Sequence, residues 1–124
     1  MNANHFVYRG DPPTLIDTGY IADFETTRRI FTDLDLDFSE VSAIVTTNCH
    51  CDHIGGNNRI QHLSGCDIIQ HDIGRIFIET RDDWATWWKY YNQQAEFFTT
   101  RTFDTFSRPY FNRETLKFLP RQLV

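Results

Sequence analysis

One short segment constrains this chain more than any other: Asn-Cys-His-Cys-Asp-His-Ile-Gly-Gly, residues 48–56. It follows directly on residues 41–47, which are rich in β-branched side chains and are typical of a buried strand. Two His, two Cys, an Asp and an Asn therefore cluster where a strand ends. Ligand and catalytic sites of α/β sheets form at the carboxyl ends of their strands. The segment predicts a functional site at such an edge.

The remaining elements are predicted from apolar spacing and turn signals. Residues 5–9 and 14–19 predict a hairpin around the turn Arg9-Gly10-Asp11-Pro12-Pro13. Helices are predicted over 22–34 and 54–63, strands over 41–47 and 66–70, and an acidic, solvated loop over 33–37. The alternation of strands and helices indicates an α/β layered (α+β) domain with right-handed crossovers. Residues 99–124 have no clear period and stay unassigned.

An aromatic-rich stripe follows the last predicted strand. From residue 72 to residue 98 the apolar side chains recur at helical spacing, which predicts a helix that breaks near 81–83 and a second helix capped by an Asp. Two interpretations of the stripe stay open. It packs in the core or between helices, or it forms an aromatic wall that faces a substrate.

Length and charge exclude several function classes. The chain has 124 residues, which suits a single domain, and a formal net charge of −5, which argues against nucleic-acid binding. We find no apolar run long enough to cross a membrane and no signal peptide, so no membrane partner is expected. Three Cys are too few for a secreted disulfide scaffold, and a cytoplasmic location is expected.

The motif has the composition of a metal site. Alternate residues of an extended segment project to the same side, so Asn48, His50 and Asp52 are expected to share one side. His53 joins them as the chain enters the helix, and imidazole and carboxylate are usual Zn²⁺ ligands. Gly55 and Gly56, expected at the start of that helix, leave backbone N–H groups free and permit a tight turn around the metal.

The cysteines have two interpretations. Cys49 and Cys51 form a thiolate-rich site with Cys66, or they are small buried thiols that pack against the sheet. The expected alternation favours the second, since it turns both away from Asp52. His71 and Asp72 are interpreted as residues of a helix start, with Asp72 as its cap.

The motif resembles that of the metallo-β-lactamase superfamily, His-x-His-x-Asp-His followed by x-Gly-Gly. The segment Leu-Ile-Asp-Thr-Gly at 15–19 is similar to the strand of that family that ends in Asp-x-Gly. The resemblance covers about residues 5–80. It implies the N-terminal half of an αββα sandwich, and hence a single, apparently truncated domain over 1–124.

The resemblance also implies the chemistry of the site. One or two Zn²⁺ ions are expected, with His50 serving the first metal position and Asp52 and His53 the second. Asp17 supports the motif loop from behind. The metal supplies a hydroxide that attacks a thioester, lactone, β-lactam or similar ester of a small-molecule substrate. Asp52 is the expected catalytic residue, which orients the water and passes its proton to the leaving group.

Two departures from the family pattern define an alternative function. Asn48 stands where the family usually has His and is at best a weak ligand. The ligands that the family places later in its chain have no counterpart, because no His follows His71. The alternative is therefore a truncated, non-catalytic member that serves as an assembly subunit. A half-fold leaves apolar surface uncovered, so we expect a homo-oligomer or a complementary chain.

Overall fold

The computed structural model describes residues 4–101, and its centre is a four-stranded sheet. The strands are β1 (Phe6–Tyr8), β2 (Thr14–Ile16), β3 (Ala43–Val45) and β4 (Asp67–Ile69), in the spatial order β1-β2-β3-β4. β1 pairs antiparallel with β2, while β2, β3 and β4 are parallel to one another. The predicted hairpin and the predicted α/β layering are confirmed.

Four α-helices connect and flank the strands: α1 (Phe24–Asp33), α2 (Cys51–Ile54), α3 (Asn57–Ser64) and α4 (Asp72–Glu79). One-turn 3₁₀ helices occupy Ile21–Asp23 and Phe38–Glu40. The buried face of α1 consists of Phe24, Thr27 and Phe31, which recur at helical spacing. α3 ends at Gly65, whose φ of 69° is the left-handed conformation that glycine adopts without a Cβ penalty.

The core lies between the sheet and these helices. Leu15, Ile44 and Ile68 are the buried central residues of β2, β3 and β4 and lie opposite one another in register. The helices and loops add the remaining large buried side chains, namely Ile21, Phe24, Phe31, Phe38, Val41, Ile54, Ile60, Ile78, Trp88 and Phe98. Within residues 4–101, no helix is long and apolar enough to cross a membrane.

The helix after the motif begins earlier than the sequence predicts. α2 starts at Cys51, three residues ahead of the predicted start, and the chain bends at Gly55 and Gly56 before α3. The start of α4 also differs in detail, because the Nδ1 atom of His71 accepts the hydrogen bond from the Ile73 N–H, 3.1 Å away. The expected cap, Asp72, is the first residue of the helix instead.

The second aromatic helix was predicted wrongly. Residues 83–92 form consecutive turns, and residues 93–100 have no regular structure. Asp82 makes hydrogen bonds of the kind expected for a helix cap, because its Oδ1 accepts from the N–H groups of Trp84 and Ala85, but no helix follows. Trp88 is buried while Trp84 is 66% exposed, so the stripe does not form one continuous helical face. The unassigned segment 99–124 lies largely outside the described residues.

Candidate metal centre

His53 is held by a carboxylate from a distant part of the chain. Its Nδ1 atom lies 2.8 Å from Oδ2 of Asp17, a residue 36 positions earlier in the sequence. A carboxylate only accepts hydrogen bonds, so the neutral imidazole carries its proton on Nδ1. The lone pair is then on Nε2, which is the atom that faces Asp52. Metal-binding imidazoles are oriented in the same way by a carboxylate behind them.

Asp17 is itself fixed by the loop that leads into the motif. Its Oδ1 accepts a hydrogen bond from the Thr47 N–H at 2.8 Å, and its Oδ2 accepts one from the Thr47 hydroxyl at 2.6 Å. The residue is buried and has a φ of 58°, in the left-handed region that Asp and Asn tolerate better than most residues. Asp17 therefore contacts the motif loop through Thr47, and its role in supporting a metal site stays a prediction.

Asp52 lies next to His53 on the first turn of α2. Its Oδ2 is 3.6 Å from His53 Nε2, too far for a hydrogen bond. Its Oδ1 is buried and has no hydrogen-bond partner among the described residues. A buried carboxylate oxygen without a partner is costly, and it indicates a site that binds something further.

The Asp52–His53 pair fits half of a Zn²⁺ site. Two ligands of a tetrahedral Zn²⁺, each about 2.0–2.2 Å from the metal, lie roughly 3.4 Å apart. The observed separation of 3.6 Å between Oδ2 and Nε2 is close to that distance. A catalytic Zn²⁺ needs about three protein ligands. Within residues 4–101, however, no three His, Cys, Asp or Glu side chains form a group that could hold a metal ion.

His50 does not join this pair. Its ring stacks on the indole of Trp87 with a centroid distance of 3.8 Å and an interplanar angle of 9°. The physical reason lies in the early start of α2. His50 is the last extended residue, and from Cys51 onward side chains rotate by about 100° per residue instead of alternating. Burial lowers the pKa of the His50 imidazole, against the opposing effect of the Asp52 carboxylate.

Asn48 is engaged within the motif loop. Its Oδ1 accepts a hydrogen bond of 2.9 Å from the His50 N–H. This contact is a local turn of the kind that Asn side chains commonly close. The assignments of Asn48 as a weak ligand, and of His50, Asp52 and His53 as metal ligands, stay predictions.

The three thiols show no sign of a thiolate site. Cys51 is fully buried, and its Sγ lies 3.6 Å from the backbone oxygen of Trp87. Burial raises the pKa of the Cys51 thiol to about 11, and the nearby Asp52 carboxylate adds to the shift. Burial also raises the pKa of Cys49 and of Cys66. Thiols that are hard to ionise are poor metal ligands and pack as small apolar groups.

Gly55 and Gly56 permit close packing. Their N–H groups were expected to be free, but both donate hydrogen bonds. The Gly55 N–H donates to the Gly19 oxygen at 2.7 Å, and the Gly56 N–H donates to the Thr18 hydroxyl at 3.0 Å. A Cβ on Gly55 would lie 2.2 Å from the Ile21 nitrogen and 2.4 Å from the Gly19 oxygen. The absent side chain therefore lets α2 and α3 approach the loop after β2.

Sequence reasoning missed two residues that shape the site. Thr18 joins the loop after β2 to α3, since its hydroxyl also donates to Oδ1 of the buried Asn57 at 2.6 Å. Trp87 holds the ring of His50. The Asp-Thr-Gly segment was a signal for Thr18, whereas nothing in the local pattern distinguished Trp87 from its neighbours Trp84 and Trp88.

Known proteins are similar to this chain in sequence profile and in fold. The sequence profile of the metallo-beta-lactamase superfamily matches residues 2–118. The fold is similar to that of MIM-2 metallo-beta-lactamase, with a TM-score of 0.59 and 23% identity over 80% of this chain and 37% of that one. It is also similar to native FEZ-1 metallo-beta-lactamase from Legionella gormanii, with a TM-score of 0.59 and 19% identity over 81% of this chain and 38% of that one.

A third similar structure is BJP-1, a subclass B3 metallo-beta-lactamase of Bradyrhizobium japonicum, with a TM-score of 0.58 and 20% identity. It aligns with 60% of this chain and 29% of its own. The chain thus spans about a third of the length of these structures. No curated protein matches it. The profile match over nearly the whole sequence, together with the shared fold, shows that this chain belongs to the metallo-beta-lactamase superfamily.

Proposed function

We propose that the chain is part of a Zn²⁺-dependent hydrolase that cleaves a thioester, a lactone, a β-lactam or a similar ester. The observation that supports this most is the linked series Asp17–His53–Asp52. It places the Nε2 lone pair of His53 3.6 Å from Oδ2 of Asp52, and the other carboxylate oxygen of Asp52, Oδ1, is buried and has no hydrogen-bond partner among the described residues. The substrate class comes from the superfamily alone, because fold does not determine function.

Each residue of the series has a separate role. Asp17 holds the proton on Nδ1 of His53 and so keeps Nε2 free as a ligand. Asp52 is the catalytic residue, which holds the attacking water with one carboxylate oxygen and delivers its proton to the leaving group when the acyl bond breaks. A Zn²⁺ ion held by Nε2 of His53 and the Asp52 carboxylate would supply a water with a pKa near neutrality and would act as a Lewis acid toward the carbonyl.

Metal content and turnover of the purified chain test this proposal. We expect about one Zn²⁺ per chain after dialysis, measured by elemental analysis, and hydrolysis of at least one substrate from a panel of a thioester, a lactone and a chromogenic β-lactam. Asp52→Asn, which keeps the shape of the side chain, should abolish turnover. Asp33→Asn, at an exposed carboxylate at the end of α1, is the matched control and should leave turnover unchanged. Equal rates in the Asp52 variant and the unaltered chain would refute the proposal.

The second candidate is a non-catalytic assembly subunit. Within residues 4–101, no third side chain completes a metal-binding group with Asp52 and His53, and this favours the alternative. β1 lies at the edge of the sheet, and its side chains Phe6 and Tyr8 are 61% and 69% exposed. Uncovered apolar edges promote association with a second copy or a complementary chain.

Light scattering combined with metal analysis separates the two candidates. The assembly subunit predicts oligomers that retain no Zn²⁺ after dialysis. A compact monomer with tightly bound Zn²⁺ would contradict it and support the hydrolase.

A further inference from the structure

Three aromatic residues of the turns after α4 form a cluster with one residue of the loop after β2, on the His50 side of the candidate metal centre. The cluster consists of Tyr20, Trp87, Tyr90 and Tyr91. Trp87 lies 5.8 Å from Tyr91 and 6.0 Å from Tyr90, and Tyr91 lies 6.2 Å from Tyr20, all between ring centroids. The pairs are tilted or edge-to-face, the arrangements that aromatic rings prefer.

Two rings of the cluster are exposed, while Tyr20 and Tyr91 are partly buried against the core. Tyr90 is 70% exposed and Trp87 is 37% exposed. The neighbouring residues Thr86 and Trp88 are fully buried, and the Thr86 oxygen accepts a hydrogen bond of 2.8 Å from the Cys51 N–H. The turns are therefore tied to the first residue of α2, and the exposed rings are held in place next to the motif.

Trp87 adopts a backbone conformation that is unfavourable for a bulky residue. Its φ is 64°, in the left-handed region that is unfavourable for residues with a Cβ. The stack with His50 and the contact between Cys51 Sγ and the Trp87 oxygen hold it there. Residues kept in such conformations concentrate at binding and active sites.

The charges around the cluster are negative. Tyr20 lies close enough to Asp52 and Asp23 that both carboxylates raise the pKa of its hydroxyl, although burial is the larger cause. The ammonium group of Lys89, in the same turns, lies 3.8 Å from the Asp83 carboxylate. Aromatic faces attract cations and disfavour anions, and the two carboxylates act in the same direction.

We propose that Tyr20, Trp87, Tyr90 and Tyr91 form a binding surface for an aromatic group that carries no negative charge, with His50 as the residue that positions Trp87. Within the proposed function, which this inference extends, the preferred substrates are uncharged or cationic aromatic acyl compounds. A β-lactam with a carboxylate beside its ring is disfavoured, because the Asp52 and Asp23 carboxylates close to Tyr20 repel an anion.

Binding of small probes tests this surface without any need for turnover. We would titrate the chain with benzylamine, benzyl alcohol and benzoate and follow the backbone and indole N–H signals by NMR, with and without Zn²⁺. Benzylamine and benzyl alcohol should shift the signals of Trp87, Tyr90 and Tyr91. Benzoate should bind at least about fivefold more weakly than benzylamine, the direction expected from the local charge.

Two exposed aromatic residues of the same turns provide a variant and its control. Tyr90→Ala should weaken benzylamine binding at least about fivefold, because it removes an exposed aromatic ring on which the probe stacks. Trp84→Ala removes a ring that is 66% exposed and lies outside the cluster, and should leave binding unchanged. His50→Ala should move the Trp87 signals and weaken binding, whereas His50→Phe should restore both.

The outcomes separate this inference from the proposed function. Equal affinity for benzoate and benzylamine, or signal changes confined to Trp84, would overturn the aromatic surface even if the chain hydrolyses esters. Selective benzylamine binding without any hydrolysis would support the surface while the proposed hydrolase fails.

Discussion

The two imidazoles of the motif differ in what holds them. His53 is fixed by a hydrogen bond to the buried carboxylate of Asp17, which Thr47 fixes in turn. His50 is fixed by the face of Trp87, a residue 37 positions later in the chain. The hydrogen bond to Asp17 keeps Nε2 of His53 directed at Asp52, whereas the stack on Trp87 turns the ring of His50 toward an aromatic surface. The two imidazoles lie three positions apart in the sequence, yet one lies between two carboxylates and the other stacks on an indole ring.

The close approach of α2 and α3 to the loop after β2 holds His53 in place. A substitution that disturbs this approach should therefore have the largest effect on stability. Gly55→Ala would place a Cβ 2.2 Å from the Ile21 nitrogen, and neither backbone can yield easily. We expect a loss of about 4 kcal/mol in the free energy of unfolding, or failure to fold. Chemical denaturation measures it.

Gly65→Ala is the control for this prediction. Gly65 has a φ of 69° but nothing within 4 Å of an added Cβ, so only the backbone conformation is penalised. A loss of about 1 kcal/mol is expected. If both alanine variants lost the same amount, the close contact at Gly55 would not be the cause.

Asp17→Asn tests how the His53 side is oriented. Asn tolerates the left-handed φ of 58°, so the backbone should be kept. Its amide group donates to Nδ1 of His53, which moves the imidazole proton to Nε2 and removes the ligand lone pair. We expect a loss of about 2 kcal/mol in stability and of about 10–100-fold in Zn²⁺ affinity.

Two measurements check the Asp17 variant separately. Nitrogen NMR of the His53 ring reports its tautomer, and calorimetric titration reports Zn²⁺ affinity. An unchanged tautomer together with unchanged affinity would show that Asp17 does not orient the ring.

Trp87 tests the other side through its backbone. Trp87→Gly and Trp87→Ala both remove the stack on His50, but only glycine relieves the left-handed φ of 64°. The glycine variant should therefore be more stable than the alanine variant by about 1 kcal/mol, measured by thermal or chemical denaturation. A more stable alanine variant would contradict the conformation of this residue.

Cysteine labelling tests the contact that joins the two sides and should not alter stability. Cys51, the first residue of α2, is fully buried against Trp87, and its pKa is about 11. Cys49 is only half-buried. At pH 8 an alkylating reagent should modify Cys49 first, slowly because burial raises its pKa too, and spare Cys51 and Cys66. Mass spectrometry of the labelled peptides identifies the sites.

Unfolded protein is the control for labelling, since all three thiols should react there. Rapid modification of Cys51 in the folded chain would mean that the packing of α2 against the turns is open.

The local pattern was sufficient for most elements and insufficient for others. α1 was predicted from apolar residues that recur at helical spacing, and β3 was predicted from a short run rich in β-branched residues. The helix predicted from the aromatic stripe is absent from residues 83–100. Trp84, Trp87 and Trp88 recur at a spacing that suits a helix, but the chain forms turns there. An apolar period shows which residues seek burial, and it does not show whether the backbone can continue as a helix.

The candidate site divides in the same way. Asp52 and His53 are adjacent in sequence and share the first turn of α2, so their proximity follows from the motif. Convergence of His50 with them was expected from an alternation that ends at Cys51. The final residue of an extended segment has no neighbour that fixes its direction, and contacts from elsewhere decide it.

The sequence by itself determined the order of strands and helices, the position of the motif at a strand end, and the membership of the superfamily. These properties rest on local periodicity and on residue types at fixed spacing. Only the tertiary structure decided that Asp17 supports His53, that Trp87 takes the ring of His50, and that Gly55 is required for packing. Those contacts join residues more than 30 positions apart, and the balance among them depends on how the whole core packs.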